Sequence, residues 1–189
     1  MIAPAVLLIP LSVAWVVSEI ILSRVKHSKS TDTKRDRASL VTLWITISVS
    51  ISAGVIIGMQ DTGRFLPRSA LIATTGIALI VLGLVLRWVA ILSLGRQFTV
   101  DVAITEGHQL VSTGVYRVLR HPSYTGSLLS FLGLGLAFSN YFSVAMIFVP
   151  ICAAFRYRIH VEEKTLVATF GDEYLKYRTS TWGLVPGIW

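Results

Sequence analysis

The amino-acid sequence predicts an all-α integral membrane protein with about five transmembrane helices. Its composition is the first reason, because 53% of the residues are hydrophobic and only 14% are charged, whereas soluble domains carry about 25% charged residues. The second reason is the arrangement, since apolar runs long enough to cross a bilayer alternate with short polar segments. A chain of 189 residues has room for these spans within a single membrane domain, 1–189.

Five apolar runs can be followed along the chain. The first lacks a basic start and a small-residue cleavage site, which favours a retained span over a signal peptide. The second is rich in Ser, Thr and Gly, which suit close helix packing in lipid. The runs cover residues 1–23, 38–59, 69–95, 122–139 and 144–156. Three spans therefore occupy an N-terminal region, 1–92, and a helical hairpin with a C-terminal tail occupies 93–189.

Basic residues predict the orientation of the spans. Six Lys and Arg lie in the first loop, two in the second, three in the third and five in the C-terminal tail. Because Lys and Arg collect on the cytoplasmic side, we expect the N-terminus outside, and the first loop, third loop and tail in the cytoplasm. The segments "RHPSY" (120–124) and "RYRIHVEEK" (156–164) then lie on the same side and can form one site.

The first of these segments stands at the start of the fourth apolar run. Pro122 suits the first turn of a helix, where its missing N–H costs nothing, so His121 lies at the positive end of that helix. Free backbone N–H groups there can bind an anionic or polar group, and Tyr116 and Tyr124 add hydrogen-bonding rings. The alternative is an interfacial belt in which Tyr and Arg only anchor the helix end.

The second segment follows the fifth apolar run. Arg158 and Glu162 are four residues apart and share a helix face, and the planar fork of Arg suits the binding of a carboxylate. The alternative is an exposed intrahelical ion pair, with Glu163 directed elsewhere into solvent. Further on, Val161, Leu166, Val167 and Phe170 suit a separate helix that lies on the membrane or on the protein. Gly171 is expected to end that helix as a left-handed cap and Asp172 to start another.

Other features are interpreted structurally. Arg87, late in the third run, is expected to snorkel to the interface, and the small residues at 133–135 are expected to pack helices. The net charge of +7 is assigned to topology and to anionic membrane lipids rather than to nucleic acid. The single cysteine, Cys152, excludes an intramolecular disulfide, and no metal-binding pattern is found. The sequence does not indicate an oligomeric state.

Together, the motifs "GVYRxxRHPSYxG" and "RxxxEExxLxxxFGxEYxxY" resemble the isoprenylcysteine carboxyl methyltransferase family, which is related to membrane phospholipid methyltransferases. The resemblance covers the C-terminal half, from "RWVAILSLGRQFT" (87–99) onward. It implies that S-adenosylmethionine binds on the cytoplasmic side, in a pocket closed by the C-terminal helical segment, and leaves as S-adenosylhomocysteine. It also implies that Arg158 orients the substrate carboxylate. By the same resemblance, the cofactor contacts His108, Gln109, Leu110, Val111, Tyr116, His121, Pro122, Ser123, Tyr124 and Glu162.

The chemistry of this reaction agrees with the residues. A carboxylate is already ionised at neutral pH, so methyl transfer to it needs positioning rather than a base or a metal. The acceptor is expected to be an isoprenylcysteine-like or other lipophilic acid that arrives from the bilayer. Three alternatives stay open: N-methylation of a phospholipid amine, which needs a base, a sterol-reductase-like enzyme with a nicotinamide cofactor, and a non-enzymatic membrane scaffold.

Overall fold

The computed structural model describes residues 3–25, 34–65, 70–98 and 109–187. Within these residues the regular structure is helical, as predicted, and six α-helices follow one another along the chain. Short 3₁₀ turns at Gly95–Gln97 and Gly114–Arg117 lie between the third helix and the fourth. The helices are α1 (Ala3–Val25), α2 (Lys34–Gly58), α3 (Ala70–Leu94), α4 (Pro122–Ala137), α5 (Tyr141–Phe170) and α6 (Asp172–Ser180).

Three helices in the described part of the chain are long and apolar enough to cross a membrane. They comprise Arg37–Gly58, Ala70–Leu94 and Tyr141–Phe170, and a shorter apolar stretch covers Leu7–Leu22. Large apolar side chains on these helices face outward: Leu71 and Leu92, for example, are 74% and 70% exposed. Such faces suit lipid rather than water, so the protein is an integral membrane protein, and the number of five spans stays a prediction.

Helix α5 is longer than the sequence predicted. The fifth apolar run ends at Arg156, yet the helix continues to Phe170 and has 30 residues, which makes it about 45 Å long. No glycine or proline interrupts the chain between Arg156 and Gly171, so nothing stops the helix where the hydrophobicity falls. The polar segment 156–164 therefore lies on the same rigid helix as the fifth apolar run.

The two ends of α5 are fixed by different residues. Asn140 caps the start, where its side-chain oxygen accepts hydrogen bonds from the backbone N–H groups of Phe142 and Ser143 at 2.9 and 3.1 Å. Gly171 ends the helix as predicted, but its φ of 52° and ψ of −126° differ from the expected left-handed helical cap. Asp172 then begins α6, as predicted.

Small residues allow α3 and α4 to approach each other closely. A Cβ atom at Gly83 or Gly126 would collide with the backbone of the facing helix, and Gly133 on α4 lies equally close to Gly76 on α3. Gly135 packs instead on Val144 of α5. The prediction that residues 133–135 serve helix packing is confirmed, and α3, α4 and α5 form a compact frame.

We expect Gly83→Leu to destabilise the protein, because its side chain would push α3 away from α4 and overpacking typically costs about 1–3 kcal/mol. The measurement is the thermal midpoint of the detergent-solubilised protein. Ala78→Leu is the matched control, since Ala78 is exposed on the same helix. Equal midpoints for the two variants would contradict the close packing.

Candidate active site

A cavity of about 870 Å³ lies among the helices α1 to α5. One part of its wall is apolar and includes Trp15, Leu43, Ile47, Phe131 and Leu134. Its other end is polar and includes Arg120, His121, Tyr124, Arg158, Glu162 and Tyr174. The cavity can therefore hold a molecule with an apolar body next to one with charged groups.

The polar end brings the two segments singled out in the sequence into contact. Helix α4 begins at Pro122, as predicted, and its first turn faces the second half of α5. The Tyr124 hydroxyl donates to Glu162 Oε2 at 2.8 Å. His121 Nε2 lies 3.2 Å from Glu163 Oε1, and its Nδ1 lies 3.9 Å from Glu162 Oε1. His121 thus lies between the two glutamates.

Arg158 is held inside the protein. Its side chain is among the most buried, at 1% exposure, and its NH1 donates to Ser39 Oγ on α2 at 2.6 Å. The Tyr124 hydroxyl is close to both Arg158 and Glu162. The alternative of an exposed intrahelical pair is therefore wrong for Arg158, because α2 covers the face of α5 on which it lies.

Glu163 was expected to be solvated, and this expectation is wrong. Its carboxylate is buried and accepts a hydrogen bond from Arg120 Nε at 3.0 Å, in addition to its contact with His121. Arg178 Nε lies 3.7 Å from its other oxygen. Consecutive side chains on a helix point about 100° apart. Glu163 therefore points away from the face that carries Glu162, and its side chain faces the start of α4 and the tail rather than solvent.

The C-terminal tail lies against the start of α4. The backbone N–H groups of Arg120 and His121 donate to the carbonyls of Trp182 and Gly183 at 2.8 and 3.1 Å, and Trp182 N–H donates to Val118 O at 3.0 Å. The Thr125 hydroxyl donates to Leu184 O at 2.8 Å. The tail is thereby held beside the polar end of the cavity.

Three tyrosines around the polar end stay neutral at physiological pH. Burial raises the pKa of Tyr177 to about 12. Burial, with the charge of Glu162 nearby, raises the pKa of Tyr116 well above its usual range, and burial with Glu163 nearby does the same to the pKa of Tyr174. These phenols are therefore hydrogen-bond donors, and Tyr177 donates to Tyr116 O at 2.7 Å.

Arg87 does not snorkel to the interface, contrary to expectation. Its Nε and NH2 each donate to one oxygen of Glu19 on α1 at 2.6 Å. Its NH1 donates to Ser123 and Ser127 on α4 at 2.9 and 3.0 Å. The guanidinium thus has partners within the helix bundle, and it lines the same cavity.

Most residues predicted for the site line this cavity. They are Gln109, Leu110, Val111, Tyr116, His121, Ser123, Tyr124, Arg158 and Glu162. Pro122 is buried in the first turn of α4, and His108 lies outside the described residues. The sequence reasoning missed Glu19 and Ser39: a carboxylate within an apolar run suggests a buried partner, whereas a serine gives no such signal.

Known proteins resemble the chain in sequence and in structure. Residues 76–168 match the isoprenylcysteine carboxyl methyltransferase (ICMT) family. Through this region, the chain is similar to that family. Protein-S-isoprenylcysteine O-methyltransferase B of Arabidopsis thaliana is 38% identical over 119 residues, which are 62% of this chain and 60% of the plant protein. The Schizosaccharomyces pombe protein-S-isoprenylcysteine O-methyltransferase is 34% identical over 117 residues, which are 61% of this chain and 50% of that protein.

A solved structure shares the fold. It is that of a eukaryotic intramembrane Ras methyltransferase, ICMT, which superposes with a TM-score of 0.60 at 25% sequence identity. The superposition covers 85% of this chain and 55% of the other. The chain thus spans only part of the length of these relatives. The matched residues 76–168 include the Arg158, Glu162 and Glu163 side chains, whereas Glu19 and Ser39 lie outside them.

We expect Glu163→Gln to lower the thermal midpoint of the solubilised protein and to expose the tail to protease. The amide cannot neutralise Arg120, and breaking a buried ion pair costs about 3 kcal/mol or more. The measurements are thermal unfolding and the rate of limited proteolysis after α6. Glu173→Gln removes an exposed carboxylate from α6 and is the control. The same rate for both variants would show that Glu163 does not hold the tail.

Proposed function

We propose that the chain is a membrane methyltransferase that uses S-adenosylmethionine to methylate the carboxylate of a lipophilic, isoprenylcysteine-like acceptor. The observation that carries this proposal is the single cavity that joins an apolar wall to a polar end containing Arg158 and Glu162. Similarity to this family supports the reaction type, because the relatives are named as isoprenylcysteine O-methyltransferases.

The residues at the polar end fit the cofactor. S-adenosylmethionine supplies the methyl group from a positively charged sulfonium, and it also carries an ammonium and a carboxylate. Glu162 offers a carboxylate to the ammonium. The Tyr174 hydroxyl is buried and has no hydrogen-bond partner among the described residues, so a polar ligand would satisfy it. Gln109, Leu110 and Val111 line the cavity and would run along the cofactor, with Tyr116 and the 121–124 turn beside them.

Arg158 would bind and aim the carboxylate of the acceptor. A carboxylate is ionised at neutral pH, so the protein does not have to remove a proton before the methyl group is transferred. Ser39 and the packing of α2 hold the guanidinium in one place, and catalysis then consists mainly of bringing two bound partners to reacting distance without water. The apolar part of the acceptor would lie along Trp15, Leu43 and Phe131.

The two partners would reach the site from different sides. The acceptor would enter from the bilayer between α1 and α2, whose apolar side chains line the cavity. The cofactor would enter from the cytoplasm at the polar end, and the tail that contacts the start of α4 would close over it. The distribution of Lys and Arg supports this orientation, with the N-terminus outside and the C-terminus inside.

We expect Glu162→Ala to weaken the binding of S-adenosylhomocysteine about 10- to 100-fold, since a hydrogen bond to a charged group contributes about 1.5–3 kcal/mol. Isothermal calorimetry on the detergent-solubilised protein measures this affinity, and Glu173→Ala is the control on the exposed face of α6. Unchanged affinity would remove Glu162 from the cofactor site. Binding of a nicotinamide dinucleotide in place of S-adenosylhomocysteine would contradict the methyltransferase.

We expect Arg158→Ala to lower turnover of an isoprenyl carboxylic acid about 100-fold, the usual effect of misplacing a reactant by about 1 Å. The affinity for S-adenosylhomocysteine should stay within a few-fold. Arg156→Ala, at an exposed position two residues earlier, is the control. An equal loss of turnover and of cofactor affinity would mean that Arg158 supports the structure of the site instead of orienting the acceptor.

A further inference from the structure

The ion pair between Glu19 and Arg87 lies in the wall of the proposed acceptor site. Both side chains line the cavity and are mostly buried, at 17% and 12% exposure. Both oxygens of Glu19 accept from the same guanidinium at 2.6 Å. This two-bond arrangement is the strongest geometry for an Arg–carboxylate pair, so the carboxylate of Glu19 occupies the fork that would otherwise face a ligand.

The pair is close to the residues that would hold the reacting groups. Arg87 donates to Ser123, and the next residue on α4, Tyr124, donates to Glu162. The charges of Arg87 and Glu162 both reach the hydroxyl of Tyr116. A second cation, Arg158, lines the same cavity from the side of α2 and α5. The net charge of the Glu19–Arg87 pair therefore acts on a head group bound beside Arg158.

We propose that Glu19 determines the charge of the head group that the site accepts. By neutralising Arg87 it leaves the wall of α1, α3 and α4 without net charge, so a singly charged head group such as a carboxylate is preferred over a doubly charged one such as a phosphate monoester. The inference rests on the proposed function, because it concerns the acceptor of that site. Glu19 lies outside the residues matched by the family, 76–168.

This preference follows from a balance of charges at low dielectric. Moving a dianion out of water costs more than moving a monoanion, and only additional positive charge nearby compensates for it. With Glu19 present, Arg87 provides none. With Glu19→Gln, the guanidinium keeps its hydrogen bonds to Ser123 and Ser127 but its charge is no longer cancelled, so the cavity gains one positive charge with little change of shape.

The test compares two ligands with the same isoprenyl tail, one a carboxylic acid and the other a monophosphate. At a pH of about 8 the phosphate is a dianion, since its second pKa is about 6. The affinities of both are measured on the solubilised protein with S-adenosylhomocysteine bound. The unaltered protein should prefer the acid. Glu19→Gln should shift the ratio of the two affinities toward the phosphate about tenfold, the order of effect of one unit charge across a cavity of intermediate dielectric.

The double variant Glu19→Gln/Arg87→Gln separates charge from structure. It removes both charges and keeps the side-chain sizes similar, so it should return to the preference of the unaltered protein. Arg87→Gln alone leaves a carboxylate without its guanidinium and should weaken both ligands, the dianion more. A merely structural role would lower all affinities together and leave the ratio constant.

The outcomes distinguish the inference from the function on which it rests. If the unaltered protein binds the acid but Glu19→Gln does not change the ratio, the inference fails and the proposed function stands. A double variant that prefers the phosphate would overturn the inference as well. If the unaltered protein binds neither S-adenosylhomocysteine nor the isoprenyl acid, the proposed function itself fails. If Glu19→Gln does not fold, the ratio of phosphate to acid affinity can still be measured for Arg87→Gln and for the double variant. Equal ratios in these two variants would contradict the inference.

Discussion

The buried carboxylate of Glu163 joins the three parts of the chain that form the polar end of the cavity. It belongs to α5, accepts from Arg120 and His121 at the start of α4, and lies near Arg178 in α6. Arg120 in turn donates to the Arg178 carbonyl at 3.0 Å. A charge taken out of water needs such partners. Separating these elements would leave Glu163 or Arg120 as an unpaired buried charge, and this cost holds the elements together. The rest of the site depends on this cluster around Glu163.

The frame of α3, α4 and α5 that supports this cluster is rigid. Glycines bring α3 and α4 into direct backbone contact, and α5 is one continuous helix from the membrane to the polar segment. Residues that differ in chemistry are thereby carried on one element: apolar residues such as Phe155 face the cavity one turn before Arg158 and two turns before Glu162. A long helix can keep an apolar and a polar region of one cavity in fixed register, which two helices joined by a loop would not do as well.

The helices could be located from the sequence, but not all of their contacts could be predicted from it. Apolar runs of membrane length mark α2, α3 and the first half of α5, because hydrophobicity alone decides where such helices lie. Local motifs likewise indicated the start of α4 at Pro122 and the end of α5 at Gly171. The length of α5 was underestimated, since falling hydrophobicity was taken for the end of a helix that has no breaker there.

Contacts between distant residues could not be predicted from the sequence. Arg158 meets Ser39 across 119 positions, and Arg87 meets Glu19 across 68. Each pairing depends on which helix faces which, and hydrophobic periodicity carries little of that information where helices are apolar on most sides. Glu163 illustrates the same limit at short range: its direction followed from its position, but whether that direction leads to water or to Arg120 depends on how α4 and the tail pack.

The charges at the polar end favour an acid acceptor over an amine. An amine must lose a proton before it attacks a methyl group, and this requires a base within reach. Glu163 is committed to Arg120 and His121, and Glu162 already accepts from Tyr124. The nearby phenols are held neutral, so none of them is a base at physiological pH. The buried guanidinium of Arg158 would repel a cationic head group and attract an anionic one. Since a carboxylate needs no deprotonation, such a site can act by holding its two substrates in place.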